Sequence, residues 1–278
     1  MTGMENYHEY KPKAALCRYV ECIWILNGKN DETNSIVESL VPGGRTELIF
    51  TKSELIWHGS NRRNEAERIS SSFLLGQRNR VKYITCLNQY SSLGVRLRYG
   101  CLPVFMGVHA SSCSNRITLL NKIFGTEIAH ITASLFEAQN KDDAIQTIES
   151  WLERNIIEPN NDWRHLQEYL GKLTSIENAG LMTTKMLSKE YGWNDKKAER
   201  VFLKYVGFTP AQFIKIIRFR RSVEKLFADY ENLTDLAYDS GFYDQSHFIR
   251  EFYRYAGNKP SDFLKRPNSI AKMLYKTR

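Results

Sequence analysis

Between Tyr19 and Tyr99 the apolar residues come in short runs separated by turn formers. The runs are Tyr19–Leu26, Ile36–Val41, Thr46–Phe50, Glu54–Trp57, Ser72–Leu75, Lys82–Leu87 and Leu93–Tyr99. Asn27-Gly28, Pro42-Gly43-Gly44, Gly59-Ser60-Asn61 and Gly100 punctuate them. Many short strands with such breaks predict a β-barrel or sandwich. From Ile117 the period lengthens to that of a helix. Ile128–Ala138 and Asp142–Asn155 read as helices, the second starting at Asp142 or Asp143. Its Ile145, Ile148, Trp151 and Leu152 form one stripe, which suits either a dimer seam or packing on the chain's own β domain. Glu158-Pro159-Asn160-Asn161 is a break, and Asp162–Thr174 is a further helix with Trp163, Leu166, Leu170 and Leu173 on one side.

Beyond this the pattern is written twice. LSKEYGWNDKKAERVFLKYVGFTPAQF runs from Leu187 to Phe213, and LAYDSGFYDQSHFIREFYRYAGNKPSDF from Leu236 to Phe263. Gly192, Trp193, Arg200, Phe202, Gly207, Pro210 and Phe213 match Gly241, Phe242, Arg250, Phe252, Gly257, Pro260 and Phe263. The offset is 49 residues at the glycine and 50 after it, so one turn is a residue longer. A detailed internal repeat is one structural unit used twice. Each copy reads as a short helix, a glycine turn and a second helix. In the first, Asp195 suits the cap, Ala198, Val201, Phe202 and Tyr205 face inward, and Lys196, Glu199 and Arg200 share the outer face. In the second, Phe248 and Phe252 face inward, and Ser246, Ile249 and Arg250 outward. This is the helix-turn-helix scheme, whose second helix enters the major groove. A long helix from Pro210 to about Tyr230 joins the copies, with Arg218, Arg220, Arg221 and Lys225 as its charged side. At ~1.5 Å per residue it would span about 30 Å.

The Gly-Phe, Asp-Gln-Ser-x-Phe-x-Arg-x-Phe and Gly-x-x-Pro-Ser-x-Phe elements of the second copy resemble the signature half of AraC/XylS-type transcription regulators, a likeness covering Asp162 to Lys265. The first copy departs from that pattern, with Lys196, Ala198 and Ser188 where arginine, leucine and alanine are usual. VPGGRTELIF and LGVRLRYGCLPVFMGV are similar to the β-rich N-terminal module of some members, although Gly43 and Gly44 stand at the usual acidic position and Tyr99 at a proline. The fold class expected is α+β. A β-rich, barrel- or sandwich-like domain (residues 1–125) for sensing or assembly leads into a helical connection (126–159) that is a candidate dimer seam. An all-α DNA-binding domain (160–266) with two helix-turn-helix units joined by a long helix follows, and then a basic tail (267–278).

Charge supports this division. From Asn160 onward lie 21 of the 39 Lys+Arg but only 14 of the 31 Asp+Glu, so nearly all of the net +8 sits with the repeated unit. A basic region confined to one domain is the footprint of a polyanion. The N-terminus has no apolar core of a signal peptide and no apolar run approaches a membrane span, so a cytoplasmic protein without a membrane partner is expected. Cys17, Cys22, Cys86, Cys101 and Cys113 lack paired spacing and read as reduced, buried thiols. His109 and Cys113 would share a helix face but have no second ligand pair, so no metal and no cofactor is expected.

Double-stranded DNA is therefore the expected partner. The resemblance places base reading on Lys196, Glu199 and Arg200, and on Gln245, Ser246, His247, Ile249 and Arg250. Arginine forks match guanine, Gln245 suits adenine, Glu199 can accept from cytosine and Ile249 can touch a thymine methyl. Arg200 could instead pair with Glu199 or Glu190, and Arg250 with Asp244 or Glu251. Lys197, Lys204 and Arg254 suit phosphates. The paired glycines, with Pro210 and Pro260, are read as architectural. Trp24, Arg45, Trp57, Arg96 and Phe105 are candidate effector contacts, the two arginines suiting an anion. The expectation is a non-enzymatic regulator with a small-molecule effector, a homodimeric state and RNA polymerase as further candidate partners. A cysteine-based alkyl-transfer activity and a purely oligomerising N-terminal domain are the alternatives.

Overall fold

The computed structural model describes residues 6–29, 36–58, 66–86, 89–175, 185–228 and 232–265. The expected Gly59-Ser60-Asn61 turn, Leu87, the 175–180 link in its larger part, Tyr230 and the basic tail lie outside them. The first half forms ten strands: β1 (Asn6–Tyr10), β2 (Val20–Lys29), β3 (Ile36–Leu40), β4 (Thr46–Thr51), β5 (Leu55–His58), β6 (Ala66–Ile69), β7 (Phe73–Leu75), β8 (Lys82–Cys86), β9 (Gln89–Leu97) and β10 (Ile117–Leu119). They make a six-stranded sheet, β1-β2-β9-β4-β7-β10, and a four-stranded one, β3-β8-β5-β6, with antiparallel pairs throughout. Sequence patterning missed β1, β6 and β10. β6 is exposed at three of its four residues, so no apolar alternation marks it. Asn27-Gly28, expected as a turn, lies inside β2. A Cβ on Gly28 would meet the Tyr90 hydroxyl at 2.2 Å, so glycine serves close packing here.

Strand alternation gives the larger sheet two buried faces. On β2 and β4, Trp24, Leu26 and Ile49 point to the smaller sheet, while Ile23, Leu48 and Phe50 point to a layer of helices. Three short helical turns come first, α1 (Leu102–Met106), α2 (Ala110–Cys113) and α3 (Asn121–Phe124), and then the longer α4 (Glu127–Glu137). His109 stands just before α2 in extended backbone, without a side-chain bond to the helix, and no group of metal-ligating side chains forms among the described residues. α5 (Lys141–Arg154) is capped by Asn140, whose side chain accepts from the Asp143 amide. Its stripe is buried in its own chain. Ile148, Trp151 and Leu152 are fully buried, and Trp151 packs edge-on to Phe50 and Phe124 while donating to Glu127 at 2.9 Å. Of the two readings of this stripe, the buried side chains fit packing within its own chain.

The last third is helical: α6 (Asn161–Thr174), α7 (Lys185–Tyr191), α8 (Asp195–Tyr205), α9 (Pro210–Phe227), α10 (Leu233–Asp239), α11 (Gln245–Ala256) and α12 (Pro260–Leu264). It shares its core with the β domain. One apolar cluster joins Val20, Leu97 and Phe105 to Trp163, Phe202 and Phe213, and a second joins Val41, Val81 and Tyr83 to Phe219 and Phe252. Trp163 donates to the Gly100 carbonyl at 2.9 Å, and Gln167 to that of Tyr99 at 2.8 Å. No helix among the described residues is long and apolar enough to cross a membrane.

Candidate nucleic-acid interface

Each repeat builds the same local frame. Gly192 and Gly241 take positive φ (64° and 80°) between the first and second helices, a conformation side chains disfavour. The cap of α8 is Asn194 rather than Asp195, its side chain accepting from the Lys197 amide, and Asp244 caps α11 in the same way through His247. Ala198, Val201, Phe202 and Tyr205 are buried on α8, and Phe248, Phe252, Tyr255 and Ala256 on α11. Pro210 opens α9 with Thr209 and Gln212 in a reciprocal capping box.

Fixing the inner face fixes the outer one. Lys196, Glu199 and Arg200 are exposed on α8, and Ser246, Arg250 and Arg254 on α11. Three of the four expected competitors for the arginines are engaged elsewhere. Glu190 pairs with Lys172 at 2.5 Å, Asp244 caps its helix, and Glu251 lies 3.5 Å from Arg254. Among the described residues Arg200 and Arg250 have no ion pair, so both forks stand open to solvent. Gln245 sits at the start of α11, 3.4 Å from the Thr234 hydroxyl, and the half-buried His247 packs edge-on to Phe242. Ile249 differs from expectation: it is half-buried against the Phe248–Phe252 cluster, at the edge of the outer stripe. Lys197 also turns away, with its ammonium 2.9 Å from Asp162 and over the Trp193 ring. Lys204 lies over Tyr205.

Two arginines on the charged side of the joining helix are engaged within the chain. Arg221 is buried, donating to the carbonyls of Leu173 (2.9 Å) and Ser175 at the end of α6. Arg220 pairs with Glu224 at 2.7 Å and donates to the Tyr99 hydroxyl of the β domain. Gly44 lies under Phe213 and Tyr99, where a Cβ would come within 3.0 Å of both rings. Periodicity marks these arginines only as polar; the end of α6 places Arg221, and contact with the β domain places Arg220.

The β domain encloses a cavity of about 90 Å³ between its sheets, lined by Trp24, Leu40, Ile49, Phe73, Ile84 and Tyr90 among others. Of the five candidate effector contacts, Trp24, Arg45 and Arg96 line it. Trp57 and Phe105 lie in the surrounding cores. Arg96 is 3% exposed and donates to Glu47 at 2.6 Å and Glu9 at 2.7 Å, and Arg45 to Glu21 at 2.5 Å. Both arginines are thus already neutralised. The Trp24 indole N–H is buried without an acceptor. Burial pushes the thiols of Cys22, Cys86 and Cys101 up to about 12, which keeps them protonated and weakly nucleophilic at neutral pH.

Two helix-turn-helix units with open cationic stripes on their second helices define a DNA-binding protein. A family model described as "Helix-turn-helix domain" matches residues 187–266, and one described as "Domain of unknown function" matches residues 8–118. Residues 187–266 thus carry an AraC-type helix-turn-helix domain. Among solved structures, it is similar to an apo form of ToxT from Vibrio cholerae (15% identity, 86% of this chain and 96% of that one, TM-score 0.47). It is also similar to unsaturated fatty acid-bound ToxT from the same organism (13%, 84% and 96%, TM-score 0.46). A probable AraC family transcriptional regulator from Rhodopseudomonas palustris matches over 39% of this chain and 99% of its own (26%, TM-score 0.32). A comparison with curated protein sequences finds no match.

Proposed function

We propose that the protein regulates transcription by reading two successive major grooves of double-stranded DNA with α8 and α11, under control of a small molecule held in its β domain. The open guanidinium forks of Arg200 and Arg250, on matching outer faces of the two units, carry this reading. Lys196, Glu199, Gln245 and Ser246 complete the base-reading set, with Arg254 and Lys204 on phosphates. Selection of bound duplexes from a random library tests it. Two enriched elements about one helical turn apart are expected; a library that stays random after selection would refute it.

Control is proposed to run through β8. Successive residues of a strand point to opposite faces. Ile84 and Cys86 line the cavity, while Tyr83 packs in the cluster of the second helix-turn-helix unit, where a Cβ on Gly257 would lie 3.1 Å from its hydroxyl. Val41 belongs to both surfaces. With Arg45 and Arg96 neutralised, the cavity suits an uncharged apolar molecule bearing one acceptor for the Trp24 N–H, rather than the anion expected from sequence. Such compounds should raise the melting temperature of the wild-type protein and not that of Ile84→Trp, which fills the space. Equal shifts in both proteins would move the effector elsewhere. In this reading the protein is a non-enzymatic, cytoplasmic regulator, with RNA polymerase and a second copy of the chain as its protein partners.

A further inference from the structure

The extra residue of the second turn is Tyr243. In the first unit Gly192 and Trp193 lead straight into the cap Asn194; in the second, Gly241 and Phe242 are followed by Tyr243 before the cap Asp244. Gly192 and Gly241 both take positive φ and Trp193 and Phe242 are both buried, so the second turn places its extra residue outside this shared frame. Tyr243 is 83% exposed. Its amide lies 3.5 Å from His247 Nδ1, which holds the residue over the first turn of α11.

Tyr253 is the second exposed aromatic at this surface, at 57%. It stands seven residues after Ser246 and three after Arg250, and this spacing places it on the same outer stripe. The open Arg250 fork therefore has one exposed ring before it and another after it, with Arg254 beside the second. Single exposed tyrosines are ordinary. Two of them bracketing an unpaired arginine on a groove-reading helix have the chemistry of a sugar–phosphate contact: a hydroxyl that donates to phosphate oxygen and a ring that covers deoxyribose or a thymine methyl.

We infer that Tyr243 and Tyr253 are DNA-contact residues of the second unit, Tyr243 donating its hydroxyl to a backbone phosphate and Tyr253 laying its ring on the groove edge. The first unit has Leu203 at the position of Tyr253 and no counterpart of Tyr243, so the second unit holds DNA more tightly for reasons separate from its base readers. The inference rests on the DNA-binding reading above.

The test uses the full-length chain and the duplex selected by the wild-type protein, which shows at the outset whether that reading stands. Tyr243→Phe should weaken binding about three- to ten-fold, the range of one net hydrogen bond. It should leave the salt dependence and the selected sequence unchanged, because no counterion is released by a neutral donor. Tyr253→Ala should weaken it about five- to twenty-fold, as loss of one buried ring face predicts, and Tyr253→Phe should restore it. Melting temperatures equal to wild type confirm that the variants fold. If a wild-type protein that selects a duplex binds it within two-fold of Tyr243→Ala and Tyr253→Ala, the inference is overturned while the DNA-binding reading survives. If the wild-type protein selects no duplex, both fall.

Discussion

The Arg221 guanidinium of α9 donates to the main-chain oxygen of Leu173 at 2.9 Å, closing the C-terminal end of α6 with a positive charge. Unsatisfied carbonyls and the negative end of the helix dipole both favour a cation there. Arg221→Leu should lower the unfolding free energy by about 1–3 kcal/mol, because the carbonyls of Leu173 and Ser175 lose a charged donor in a buried site. Chemical denaturation measures this directly. A midpoint equal to wild type would show that the contact adds nothing to the fold.

Arg250 and Arg254 should behave differently although they share a stripe. Arg250→Ala is expected to cost ~1–3 kcal/mol on the selected duplex and to relax the preference at one base pair. Arg254→Ala and Lys204→Ala should weaken all sequences alike and reduce the salt slope by about one each. Titrations on selected and scrambled duplexes at several salt concentrations separate the two patterns. A uniform loss for Arg250→Ala would reassign it to the backbone.

The spacing of the units bears on DNA shape. The 18 residues of α9 span about 27 Å, against ~34 Å between successive major grooves on one face. If α9 stays rigid, DNA engaged by both units should bend, at a deformation cost of about 1–6 kcal/mol. Phased fragments carrying the selected site should migrate anomalously. Normal migration with both elements protected would argue that α9 or its ends yield instead.

The thiols offer a test of the β domain. Cys17 is half-buried and the other four cysteines are buried. At neutral pH one thiol should react rapidly with an aromatic disulfide in the folded protein, and all five after denaturation. For Cys22, Cys86 and Cys101 the folded pKa is raised from an ordinary 9.0 to about 12. The stability linked to their protonated form is therefore complete below pH 9.0 and lost as pH rises towards about 12. Fast labelling of a second thiol in native protein would contradict the burial that underlies this.

The inner faces of α8 and α11 were legible from spacing alone, because a buried stripe must recur every three or four residues whatever packs against it. The outer faces follow by elimination, so Lys196, Arg200, Ser246 and Arg250 emerge where expected. Caps were less legible: Asn194 and Asn140 precede acidic residues that fit the same rule, and only backbone geometry separates them. The pattern gives Arg220 and Arg221 only as the charged side of a helix, because a period carries no information about a partner 46 to 121 residues away. Gly43, Gly44 and Tyr99, the very positions that depart from the family pattern, gather at the same junction. Tyr99 stacks edge-on to Phe213, its hydroxyl lies 3.5 Å from the Gly43 carbonyl, and Gly44 makes room for both rings. Tyr243 was visible as an offset of one residue, but its exposure needed coordinates.

The shared core of the two halves has a consequence for dissecting the protein. A fragment cut at the Glu158–Asn161 break would carry Trp163, Phe202 and Phe213 without the Tyr19, Phe105 and Tyr99 rings that now surround them. The severed piece would present a sticky apolar wall and lose an acceptor for the Trp163 indole. Heating the intact chain should accordingly melt it as one cooperative unit rather than as two beads on a string.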